Sequence, residues 1–200
     1  MFNTEKNNMR IKEAIKQSIE TKKHILADHN LIQTIRDAAQ VCTEALCMGN
    51  RVFFCGNGGS AADAQHLAAE LSGRFYYDRL PLPAEALHVN TSYLTAVAND
   101  YSFEEVYARL LRGSAEAGDV LFCLSTSGNS KNILKALTVA RELGVITIGL
   151  TGESGGGMRD LCDFLINVPS TDTPRIQESH IMIGHVICEI VESSLFPKED

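Results

Sequence analysis

The segment over residues 51–70 constrains this chain more than any other. Arg51-Val52-Phe53-Phe54 is short and strand-prone, Cys55-Gly56-Asn57-Gly58-Gly59-Ser60 breaks it, and an alanine-rich run favouring helix follows. Glycines are thereby placed at a strand-to-helix turn, where backbone N–H groups can approach an anion without interference from a Cβ. Ser60 is expected to cap the helix, whose N-terminal dipole favours negative charge. Further along it, His66 and Glu70 are four residues apart and project from one helical face. An imidazole and a carboxylate beside an anion cradle suit chemistry on a small phosphorylated molecule, although such a pair on a helix can equally be a polar surface.

Hydropathy patterning around that segment predicts one α/β domain. From about residue 10 to 48 the pattern is helical, with Ile11, Ala14, Ile15 and Ile19 on one face and a second apolar stripe from Leu31 to Ala45. Asp28 or Asn30 can cap the second helix, and Gly49-Asn50 stops it. Two such helices ahead of the first strand can cover the chain's own sheet or a neighbouring copy; residues 1–50 are read as a helical oligomerisation segment and 51–200 as the α/β domain. Strands are expected at 85–89, 120–124, 145–150 and 164–168, and helices at 91–99, 103–116, 131–143, 158–162 and 175–194, with 169–174 a mobile connector. Strands alternating with helices argue for a central parallel sheet flanked by helices on both faces, a flavodoxin-like three-layer sandwich.

Composition narrows the function classes. At 200 residues with 44% hydrophobic content the chain suits one substantial core. A net charge of −7 and the lack of a basic cluster weigh against nucleic acid. Six cysteines without a CxxC pair read as reduced, buried thiols, and with no apolar signal core or membrane-length stretch the expectation is a cytoplasmic protein. A second anion-binding candidate, Ser125-Thr126-Ser127-Gly128-Asn129-Ser130, joins the apolar run Val120 to Leu124 to a helix start. Hydroxyls and N–H groups can hold a phosphate there, or merely cap the helix. The last helix carries Gln177, Glu178, His180 and His185 before turning mostly apolar. Gln177 and His185 share a broad face, whereas His180 is offset and reads as structural. His66, Glu70, Gln177 and His185 could together hold one zinc ion, glutamine being an uncommon ligand.

The glycine turn at 55–60, Asn99-Asp100, the hydroxyl-rich turn at 125–130 and Arg175-Ile176-Gln177-Glu178, in that order and spacing, resemble the phosphoheptose isomerases, single-domain members of the sugar isomerase (SIS) family. The resemblance implies a homotetramer that converts sedoheptulose 7-phosphate to D-glycero-D-manno-heptose 7-phosphate, the first step towards activated heptose for lipopolysaccharide or related glycans. It implies a catalytic base at Glu70 and an acid at His185. Zinc ligands are implied at His66, Glu70, Gln177 and His185, with substrate contacts at Asn57, Gly58, Gly59, Ser60, Glu70, Asn99, Asp100, Ser125, Thr126, Ser127, Ser130 and Gln177. The chief rival is a non-catalytic SIS adaptor that binds a replication initiator. Glu104-Glu105-Val106-Tyr107-Ala108 and Leu195-Phe196-Pro197 resemble that group, but retention of both Glu70 and His185 favours the enzyme.

Overall fold

The computed structural model describes residues 4–198. Five parallel strands, β1 (Val52–Gly56), β2 (Ala84–Ala86), β3 (Val120–Leu124), β4 (Ile146–Thr151) and β5 (Phe164–Asn167), form one sheet in the order β2-β1-β3-β4-β5. The expected parallel sheet with helices on both faces is present. The central strands β1, β3 and β4 are buried on both sides, and their alternate residues feed two cores, while edge strand β2 leaves Glu85 exposed. Val52, Phe54, Val120, Phe122 and Leu124 face α2 (His29–Cys47), α3 (Gly59–Ser72) and α7 (Thr173–Leu195). Phe53, Cys55, Leu121 and Cys123 face α4 (Thr91–Asp100), α5 (Val106–Ser114) and α6 (Lys131–Leu143). Strand order reverses between β1 and β3, the crevice where such sheets receive ligands. The two candidate anion turns leave these two strands.

Several elements depart from expectation. Ser60 does not cap α3: Gly58, at φ +57°, is the N-cap, and Ser60 is buried within the first turn with its N–H donated to the Asn57 carbonyl at 3.1 Å. Positive φ at Gly58 turns the chain so sharply that the helix begins two residues early. The helix expected at 103–116 is a 3₁₀ turn, Phe103–Glu105, followed by α5, and that expected at 158–162 is only a 3₁₀ turn, Gly156–Met158. The connector is shorter than expected because α7 starts at Thr173, with Pro174 in its first turn, where a missing N–H costs no helical bond. All six cysteines are free, yet Cys47 is exposed rather than buried.

Ahead of β1, α1 (Thr4–Ala27) and α2 differ sharply in burial. Asp28 separates them, its Oδ1 accepting the Asn30 and Leu31 N–H groups at 3.0 Å. Burial of Leu31, Ile35, Ala38, Ala39 and Cys42 commits α2 to this chain's sheet and α7. Only Thr21 and Ile25 are buried on α1, while Ile11, Ile15 and Ile19 remain 58%, 54% and 49% exposed. It is fastened to α7 by Arg175, which donates to the Ala14 carbonyl, and by a Lys22–Glu178 ion pair of 3.6 Å. Among the described residues no helix is long and apolar enough to cross a membrane.

Candidate active site

Helices α3 and α7 run side by side in the same direction, and their contacts climb in step. A Cβ on Gly59 would lie 2.6 Å from Gln177 Nε2, and one on Gly184 2.5 Å from Leu67 Cδ1. Gly184 thus admits a close helix–helix approach, and the next residue, His185, meets His66. Their Nε2 atoms are 3.0 Å apart, and His66 Nε2 is 3.1 Å from Glu70 Oε1. One potential ligand atom from each of His66, Glu70 and His185 lies within 4.8 Å of the other two. Two imidazoles 119 residues apart in the chain converge because both helices start at the same sheet edge and follow the same buried stripe of the core.

This trio opens to solvent: the His66 side chain is 52% exposed and that of Glu70 23%. Burial, and secondly the charge of His66, push the His185 ring below the ordinary histidine range, against the opposing pull of Glu70. His185 is therefore neutral at neutral pH, the form that donates one ring N–H and offers the other nitrogen as a ligand or base. A zinc ion fits the donors present, since bonds of about 2.0–2.1 Å in a tetrahedral shell hold ligand atoms roughly 3.3 Å apart. Gln177, the other expected ligand, stands over Gly59 at the start of α3.

The two candidate anion turns lie at the C-terminal edge of the sheet. Gly128 (φ +65°) lets the second turn pass beside Gly155, where any Cβ would strike a backbone carbonyl. Ser125 Oγ and Ser130 Oγ are 3.1 Å apart, and Ser130 makes no side-chain capping bond, so its hydroxyl is not committed to α6. Thr126, Ser127, Asn129, Ser170, Thr173 and Ile176 are among the residues lining a cavity of about 280 Å³ beside this turn. The turns at 57 and 130 are tied by a reciprocal amide pair in which Asn57 and the buried Asn132 each donate to the other at 2.9 Å. Asn57 keeps one N–H and one lone pair for a ligand. Gly58 is exposed and Ser60 buried. Asn99 and Asp100, at the exposed end of α4, bond to one another at 2.9 Å and do not line the cavity. His180 is structural as expected: it is fully buried, Nε2 lies 3.2 Å from the Thr151 carbonyl, and burial lowers its pKa to about 4.

Sequence reasoning missed three buried polar residues near the site. Asn132 and Arg79 gave no local signal, because their partners are distant in sequence. Glu192 did give one: a carboxylate four residues after Cys188, on the helical face that buries Ile183, Ile187 and Val191.

Strand order defines a doubly wound α/β protein, and it carries two candidate anion turns and an imidazole–carboxylate cluster. The SIS domain matches residues 9–152. A phosphoheptose isomerase of Mycobacterium tuberculosis is 57% identical over 180 residues, covering 90% of this chain and 92% of that protein. One from Aneurinibacillus thermoaerophilus is 52% identical over 186 residues, covering 93% and 94%. The solved structure of a phosphoheptose isomerase from Neisseria gonorrhoeae matches with a TM-score of 0.88 at 40% identity, covering 93% of this chain and 98% of that one. The chain belongs to the SIS domain family, and these relatives place it with the isomerases.

Proposed function

We propose that the protein converts sedoheptulose 7-phosphate to D-glycero-D-manno-heptose 7-phosphate, supplying the first intermediate of activated heptose for lipopolysaccharide or a related glycan. The observation that carries this reading is the meeting of Glu70 and His185 around His66, in a chain more than half identical to a phosphoheptose isomerase. Glu70 takes a proton from C1 of the ketose as His185 donates to the C2 oxygen, giving an enediol. Glu70 then returns the proton to C2 while His185 recovers one from the C1 hydroxyl, leaving the aldehyde. A neutral imidazole can act here as the electrophile, its ring N–H donated to the C2 oxygen as charge develops there and the proton regained from the C1 hydroxyl in the second half. The phosphate occupies the turn at Ser125, Thr126, Ser127 and Ser130, close to the N-termini of α6 and α7, and acts by holding the carbons in register. Asn57, Gly58, Gly59, Ser60, Asn99, Asp100 and Gln177 are the further proposed substrate contacts.

His66, Glu70 and His185, with Gln177 as fourth ligand, would hold one zinc ion. When bound, zinc supplies Lewis-acid polarisation of the substrate oxygens. The open face of the trio and the apolar stripe of α1 support a homotetramer in which neighbouring copies shelter each site.

The test is turnover of sedoheptulose 7-phosphate by the purified protein. Glu70→Gln and His185→Ala are each expected to lower kcat by about 10²–10⁴-fold or more while the assembly stays intact. Folded wild-type protein without turnover on this ketose, with or without added zinc, overturns the assignment.

A further inference from the structure

A buried ion pair lies beyond the ends of the reactive groups on α3 and α7, and it touches both helices. Arg79 Nε is 3.1 Å from Glu192 Oε1, with side chains only 2% and 1% exposed. The remaining guanidinium donors reach the end of α3: Nη2 donates to the Glu70 carbonyl at 2.8 Å, and Nη1 to the carbonyls of Leu71 at 2.7 Å and Gly73 at 3.0 Å. The Glu70 and Leu71 carbonyls belong to the last turn of α3, which leaves them without intrahelical partners, and a cation beside them complements the negative end of the dipole. Glu192 lies seven residues after His185, two turns along α7, and its carboxylate accepts the N–H groups of Phe75 at 2.8 Å and Tyr76 at 2.7 Å. The Phe75 ring in turn stands 5.7 Å from the ring of His185.

One planar guanidinium therefore grips the backbone of Glu70 while bonded to a carboxylate on the helix that bears His185. Rotation or sliding of α3 against α7 would break several buried, charge-assisted hydrogen bonds together. We infer that Arg79 and Glu192 are positioning residues that set the separation of Glu70 and His185. They touch no reacting atom. The inference rests on the acid–base reading given above, and it adds the device that keeps the two groups in reach of one substrate.

Arg79→Lys decides the question, because lysine keeps the charge against Glu192 but lacks the planar fork that spans several carbonyls at once. Glu192→Gln is the companion variant, since its amide oxygen can still accept from Phe75 or Tyr76. Folding of each is checked by circular dichroism and thermal melting, and kinetics are run well below the transition. The expected result is a fall in kcat on the order of 10²-fold, as a misplacement of about 1 Å produces, with KM for sedoheptulose 7-phosphate within about 3-fold of wild type. In parallel, ¹H–¹⁵N spectra of the histidine rings are recorded without substrate, and the His66 and His185 signals are expected to move. Unmoved ring signals, or wild-type kcat, in a folded variant overturn the inference. Loss of the fold in both variants also overturns it, assigning the pair to stability alone. If the wild type itself lacks turnover, the functional assignment fails and the ring signals alone judge the positioning role.

Discussion

His66 Nε2 lies 3.0 Å from His185 Nε2 and 3.1 Å from Glu70 Oε1, and since one ring nitrogen makes only one linear hydrogen bond, the three atoms suit the corners of a metal site. Which side chains these are was readable from residue types: His66 and Glu70 from four-residue spacing, and His185 as a polar interruption of an apolar helix. That His66 and His185 face each other was not, because the register of α7 on α3 depends on Gly184 passing Leu67. The zinc reading makes a prediction at this scale. Wild-type protein is expected to bind one zinc per chain, and His66→Ala to weaken binding by at least about 100-fold, since outer-shell partners alone are worth about 10–100-fold. Titration against a competing chelator measures this, and unchanged affinity in His66→Ala would exclude His66 as a ligand.

At the scale of elements, α7 combines several tasks. Its first turn borders the cavity through Ile176, its middle presents His185, and its last turns hold Glu192. Its buried polar residues make the fold sensitive to acid. For His180, burial lowers the folded pKa to about 4 from an ordinary 6.5. The unfolded chain therefore binds the extra proton first, so the stabilising contribution is complete above 6.5 and is lost as pH falls towards 4. Glu192 acts in the same direction at lower pH. Burial tends to raise its pKa, but the N–H groups of Tyr76 and Phe75 and the charge of Arg79 prevail and hold it below its ordinary 4.5. Its contribution is present above 4.5 and lost as pH falls through the lower folded value. The melting temperature is thus expected to decline between pH 6.5 and 4, and His180→Gln to flatten that decline; an equally steep decline in the variant would remove His180 as its cause. Truncating one member of the Arg79–Glu192 pair is expected to cost about 3–5 kcal/mol, the cost of stranding a buried charge.

At the scale of the whole molecule, α1 is held to α7 through Arg175 and Lys22, buries Thr21 and Ile25, and leaves Ile11, Ile15 and Ile19 exposed. Beside it, Ile25, Ile32, Ile35, Met182, Val186 and Ile190 are among the residues forming an apolar groove of about 300 Å³. The proposed tetramer predicts that Ile15→Glu with Ile19→Glu yields a smaller, folded species by sedimentation, with turnover greatly reduced because the sites lose their shelter. A wild-type chain that sediments as a monomer at micromolar concentration would remove the assembly from the account. Much of the architecture was already legible: Val120 to Leu124 as a doubly buried strand, Lys131 to Leu143 as its following helix, and the two turns between strand and helix all follow from local patterning, which depends on neighbours in sequence. Ser60 was misread because a glycine with positive φ moved the helix start, a choice made by the turn's packing. Arg79 and Glu192, 113 residues apart, carry no shared local signal, and the distance between Glu70 and His185 depends on how two helices settle on one sheet. Residue chemistry and periodicity are properties of the chain itself; juxtaposition is decided by burial and by pairing charges away from water, which exist only once the helices have packed.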